Sequence, residues 1–208
     1  MKYTGFWLAC VGLMIGGCAM PQKSRKPGLF SGDVAFLQKH TGVVVLSDEA
    51  DRAQVAVCPA YQGRVMTSTA GGNEGLSFGW INRELIASGE RKPHINVFGG
   101  EDRFWLGPEG GQFSIFFQKG DPFDLDHWFT PEPIDWGAYD VVSRGKDRIS
   151  FCKTMRLKNY SDFEFDLEVN REVRLKADRR RNPVWMNSRL RWMISRTGTC
   201  GPWPRWRI

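Results

Sequence analysis

Hydrophobic and polar positions change period three times along the chain. Residues 5–17 form an apolar and small-residue run without a charge, preceded by Lys2. In residues 33–40, Val34, Phe36 and Leu37 recur at near-helical spacing, which predicts one short helix with Ser31 or Asp33 as its cap. His40, at the end of that helix, suits a C-terminal cation. From Gly42 onward the period falls to two. β-branched and alternating segments at residues 43–46, 54–58 and 64–69 predict strands, with turns at 59–63 and 71–75. Residues 77–82 read as a short aromatic strand or bend, and 83–88 as one helical turn. The apolar run at 113–118 predicts a buried strand, and strand-like patterns return at 139–143, 148–153 and 163–175. Lys146-Asp147 and Ser161-Asp162 supply turn chemistry between them. Seven or more short strands and one early helix predict a mainly β fold, an antiparallel β-sandwich.

The ends of the chain differ from this body. The charge-free run is the length of a signal h-region rather than of a membrane span, and it closes on Ile15-Gly16-Gly17-Cys18. Small residues before a cysteine have the form of a bacterial lipobox, which predicts cleavage before Cys18 and acylation of its thiol. Ala19 then fits sorting to an outer membrane, on its periplasmic side. A cleaved secretory peptide with an incidental cysteine is the other reading. The chain thus divides into a lipoprotein signal (1–17), a polar tether (18–30), a β domain (31–178) and a tail (179–208). The tail holds eight arginines, four of the nine tryptophans and no acid. It is either a basic aromatic extension facing a membrane or RNA, or a premature or frame-shifted ending that leaves the sheet unfinished.

The net charge of +6 is smaller than the eight positive charges of the tail, so the rest of the chain carries two more acids than bases. This removes the electrostatic basis for a nucleic-acid partner of the main body. Of five cysteines, Cys10 leaves with the signal and Cys18 takes the lipid. Cys58, Cys152 and Cys200 remain, with no CxxC pair. Cys58 and Cys152 lie in apolar strand-like runs and are expected as buried free thiols.

Chemistry concentrates in residues 94–118, HINVFGGEDRFWLGPEGGQFSIFFQ. Glycines permit tight turns there. Glu101, Asp102, Arg103 and Glu109 supply hydrogen-bonding charge, and Phe104 and Trp105 supply flat apolar faces. Such a mixture can line a polar pocket for a small hydroxylated ligand, or form an acidic hairpin whose arginine pairs with its neighbours. The long loop at 119–138, with Pro122, Pro131 and Pro133, adds His127, Trp128 and Trp136. No phosphate loop, GxSxG elbow, HExxH or EF-hand spacing is present, so neither a cofactor nor a metal is expected. Opening a cyclic hemiacetal needs a base at the anomeric hydroxyl and an acid at the ring oxygen, and a carboxylate with a histidine can serve. His94, Glu101 and Glu109 are the acid–base candidates, close enough in sequence to meet across one hairpin. His94 also fits a strand-start residue bonded to backbone. Arg64, Asp102, Arg103, Trp105 and Trp128 are the binding candidates, the tryptophans as stacking platforms for a pyranose or as core.

YQGRVMTST (residues 61–69), SFGWIN (77–82) and HINVFGGEDRFWLGPEGGQFSIFF (94–117) resemble a family of uncharacterised bacterial secreted proteins. That family is similar in turn to galactose mutarotase-like, aldose 1-epimerase-like supersandwich proteins. The resemblance spans residues 31–175 and implies a β supersandwich with a sugar site on a concave sheet face. In aldose mutarotases the base is a glutamate late in the chain. No position here matches it, so no catalytic residue carries over. The expectation is a lipid-anchored carbohydrate-binding protein of the cell envelope. If it is an enzyme, it is an aldose 1-epimerase-like isomerase. The alternatives are a non-enzymatic structural or interaction lipoprotein and an inactive truncated product.

Overall fold

The computed structural model describes residues 28–176, 185–186 and 189–193. The expected signal, Cys18, the basic residues of the tether and Cys200 lie outside these residues.

The fold is mainly β, with one short N-terminal helix and two antiparallel sheets that share a core. Helix α1 (Phe30–His40) begins before the expected start, and Leu29, in extended conformation, stands at its N-cap without a side-chain cap bond. Asp33 is therefore a first-turn acid and not a cap. Its buried carboxylate accepts from Ser77 Oγ and pairs with Arg83 at the start of helix α2 (Arg83–Ser88). Arg83 also lies 4.4 Å from the Phe36 ring centre, so one cation staples the two helices. Asn82 caps α2 by accepting from the Leu85 amide, and Gly89 ends it in the left-handed region.

The first sheet has the order β1 (Val44–Ser47), β2 (Gln54–Cys58), β3 (Arg64–Thr69). Every residue of β2 and β3 is buried, because both faces are covered. Val55, Val57 and Val65 enter the main core, while Cys58 and Met66 pack with Leu37, Leu85 and Ile86 of the two helices. The outer edge of β3 is closed by the chain itself. Phe78 N–H donates to the Ser68 carbonyl and Glu101 N–H to the Val65 carbonyl, with Val65 and Asp102 in an isolated bridge.

The second sheet runs β4 (Asp140–Arg144), β5 (Arg148–Lys158), β6 (Glu164–Lys176), and β6 also pairs with β7 (Trp185–Met186) and β8 (Arg189–Met193). β5 and β6 stay in register from Arg148 opposite Arg174 to Lys158 opposite Glu164. Their inward residues Ile149, Phe151, Met155, Leu157, Leu167, Val169, Val173 and Leu175 meet those of the first sheet in one core. This face-to-face burial is what makes the pair of sheets a sandwich. Strands β7 and β8 place part of the expected tail in this sheet.

Two expectations are corrected. Residues 113–118 form no strand. Ser114, Ile115, Phe116 and Phe117 are buried in succession, so the run lacks the alternation of a half-buried strand and is packed as a loop, held by Phe129 N–H on the Phe116 carbonyl and Tyr160 N–H on that of Ser114. Cys152 is disulfide-bonded, whereas Cys58 is the free buried thiol. No described helix is long and apolar enough to cross a membrane.

Candidate functional site

Residues 94–118 fold without strands, so the expected hairpin is absent and the candidates are placed by loops instead. Two neighbourhoods result. The first is centred on Asp135 at the end of helix α3 (Glu132–Asp135). The Asp135 carboxylate is 3% exposed as a residue and accepts from the Asn96 amide at 3.0 and 2.9 Å and from Asn96 Nδ2. Arg103 reaches it at 3.6 Å and donates to the Ile134 carbonyl at 3.3 Å. Arg64, 1% exposed, donates to the carbonyls of Gly99 and Asp135 at 3.0 and 3.3 Å and to Gln62 Oε1 at 2.9 Å. Asp102, expected as a binding residue, pairs instead with buried Arg171, whose Nε donates to the Gly63 carbonyl.

Three guanidinium groups thus gather around two carboxylates. Burial, with Arg103 next, pushes the Arg64 guanidinium down to about 10. Burial also lowers that of Arg103, with the Asp135 carboxylate opposing it. Both arginines stay charged at neutral pH. Arg64 has no carboxylate in ion-pair contact among the described residues and depends on carbonyl oxygens, which makes it a structural cation rather than an exposed binding group.

The second neighbourhood is aromatic and opens to solvent. The Arg103 guanidinium lies 4.4 Å from the Trp105 ring centre, linking the two. Trp105 stacks on Phe116 at 5.1 Å and lies 6.5 Å from Trp128, and Phe116 is nearly parallel to Trp128 at 5.6 Å. Trp105 Nε1–H donates to exposed Glu109 at 2.8 Å. His94 bonds through Nδ1 to the Trp128 carbonyl. A carbonyl only accepts, so Nδ1 carries the proton and a neutral His94 leaves Nε2 as an acceptor. The backbone-bonded reading of His94 is what the structure contains.

Glu101 belongs to neither neighbourhood. Its carboxylate accepts from the Ser68 amide at 2.6 Å and from Ser68 Oγ at 3.0 and 2.8 Å, fixing the loop to β3. Among the described residues no hydrogen bond joins His94, Glu101 and Glu109 to one another, and no group of three or more His, Cys, Asp or Glu is placed to hold a metal ion. Sequence reasoning missed Asp135, Asn96 and Arg171. For Arg171 a signal existed: it sits between Val169 and Val173 on the inward-facing positions of β6, where only a paired charge is tolerated.

No curated protein and no solved structure matches the chain. A family profile matches residues 28–188, which include the first sheet, strands β4 to β7 of the second and both neighbourhoods. The chain therefore belongs to DUF6786, a family of unknown function.

Proposed function

We propose that this chain is a lipid-anchored protein of the cell envelope whose β domain binds a carbohydrate at the Arg103–Trp105 neighbourhood. The observation that carries this reading is the half-buried Arg103–Trp105 pair bordered by Trp128, Glu109 and His94. Flat apolar faces beside a cation, a carboxylate and an imidazole acceptor are the chemistry that a ring with several hydroxyls requires. The resemblance of residues 61–69, 77–82 and 94–117 to a family of bacterial secreted proteins that is itself similar to mutarotase-like proteins points the same way. Binding is favoured over anomer interconversion because His94, Glu101 and Glu109 engage separate partners, so no acid and base converge on one ring. The lipobox at Cys18 supplies the address, on the periplasmic side of an outer membrane.

The test is thermal denaturation of the full chain in detergent with a panel of aldoses, uronic acids and oligosaccharides. At least one class should raise the melting temperature. Glu109→Gln, at an exposed position, should keep the fold and weaken the shift. If no member of the panel shifts the wild type, the reading is overturned. A polarimetric assay on any sugar that binds then separates binder from isomerase. An interaction lipoprotein without enzymatic activity is the second reading, and the exposed apolar side chains of residues 76–80 favour it.

A further inference from the structure

Residues 76–81 run along the edge of β3 with strict alternation. Ser77, Gly79 and Ile81 turn inward: Ser77 bonds Thr67 and Asp33, the Gly79 amide donates to Thr67 Oγ1 at 3.0 Å, and Ile81 joins the second core. Leu76, Phe78 and Trp80 consequently turn outward, and they are 55%, 61% and 52% exposed. Leu29, 46% exposed, is bridged directly to Leu76 and extends the row. Four large apolar side chains, those of Leu29, Leu76, Phe78 and Trp80, thus share one rigidly backed face. An exposed row of this kind on a monomer marks a docking surface.

We propose that this face rests on the lipid bilayer to which the chain is tethered. The proposal rests on acylation of Cys18. Leu29, a member of the row, follows Cys18 by eleven positions in the sequence. Eleven residues reach at most roughly 40 Å, and they join the domain at this face. Between them lie Lys23, Arg25 and Lys26, which favour the headgroup region of anionic lipids. Trp80 and Phe78 are side chains that settle at a bilayer interface. Leu76 and Leu29 add apolar area that enters the acyl boundary.

The experiment uses the acylated full chain reconstituted into phosphatidylethanolamine–phosphatidylglycerol vesicles, with and without bromine on the acyl chains. Bromine in the bilayer should quench a distinct fraction of the tryptophan fluorescence, and Trp80→Phe should remove most of that fraction while keeping the fold. Leu76→Ser with Phe78→Ser should lower the quenching of Trp80 in the same preparation. Equal quenching in wild type and Trp80→Phe overturns the proposal. So does a vesicle-free protein that self-associates through this face, seen as a dimer that Trp80→Ser dissociates. Mass spectrometry of the N-terminus separates the two readings. An acylated protein without Trp80 quenching sinks the docking face alone, whereas a protein without acyl chains sinks the anchor and the face together.

Discussion

Glu101 closes on Ser68, taking both the backbone amide and the hydroxyl of that β3 residue in its carboxylate. An acid that reads in the sequence as a candidate proton shuttle serves to seal the strand edge. Glu101→Ala is expected to cost about 1–3 kcal/mol, because it strips a charge-assisted pair of bonds from a buried residue. Urea denaturation checks this. Ser68→Ala should cost less, since the amide keeps its acceptor.

Asp135 is the carboxylate on which Asn96 and Arg103 converge. Asp135→Ala removes the acceptor of the Asn96 amide and leaves Arg103 without its carboxylate, so a loss of about 3–5 kcal/mol is expected. Circular dichroism melting measures it. A loss under 1 kcal/mol (roughly the value of an exposed pair) would mean that the cluster is not the keystone of the loop.

The exposed Asp124–His127 pair sets a pH dependence. The hydrogen bond that His127 Nδ1–H donates to the Asp124 carboxylate raises His127 above the ordinary histidine value and lowers Asp124. A raised histidine stabilises fully below its unfolded value of about 6.5, and that contribution fades as pH rises through the folded value. A lowered aspartate stabilises above its unfolded value of about 3.9, and its contribution fades as pH falls through the folded value. The contact should therefore hold the residue 122–128 turn best between these limits. NMR titration of His127 should give a value above the unfolded one, and Asp124→Asn should return it.

Cys58 is fully buried, and burial pushes its thiol up to about 12. The native protein should give no iodoacetamide adduct at Cys58 at neutral pH, and labelling should appear with unfolding. Rapid labelling before the cooperative transition would show that the helical side of the sheet opens locally.

Two glycines should resist substitution. A Cβ at Gly79 would lie 2.1 Å from the Met66 carbonyl oxygen, and one at Gly99, where φ is +88°, would lie 2.2 Å from that of Trp80. Alanine at either position forces apart segments that approach backbone to backbone, and loss of soluble protein is the expected readout.

Regular periodicity made most of the fold legible. β2 and β3 have the bounds that their alternation predicts, and α2 follows its helical turn. Residues 113–118 mislead because an apolar run has the same composition in a strand and in a buried loop; only partners 13 and 46 positions away, Phe129 and Tyr160, decide between them. The candidate site was legible in its residue types and not in its pairings. Arg103, Trp105 and Glu109 are neighbours in the structure as in the sequence. Asp102 and Glu101, adjacent in the chain, point to Arg171 and to Ser68, since an extended backbone sends successive side chains to opposite sides. Arg64 reads in the sequence as a binding group, yet long-range contacts to the carbonyls of Asp135 and Gly99 hold it in the interior.

The sealed edge of β3 restricts how this protein can be recognised. With its main-chain groups taken by Phe78 and Glu101, that strand cannot recruit an incoming peptide as an additional ladder rung. Any visitor to this side of the domain must be read through side chains, so the identity of a single ring such as Trp80, and not the geometry of a peptide backbone, becomes the quantity that selection can tune.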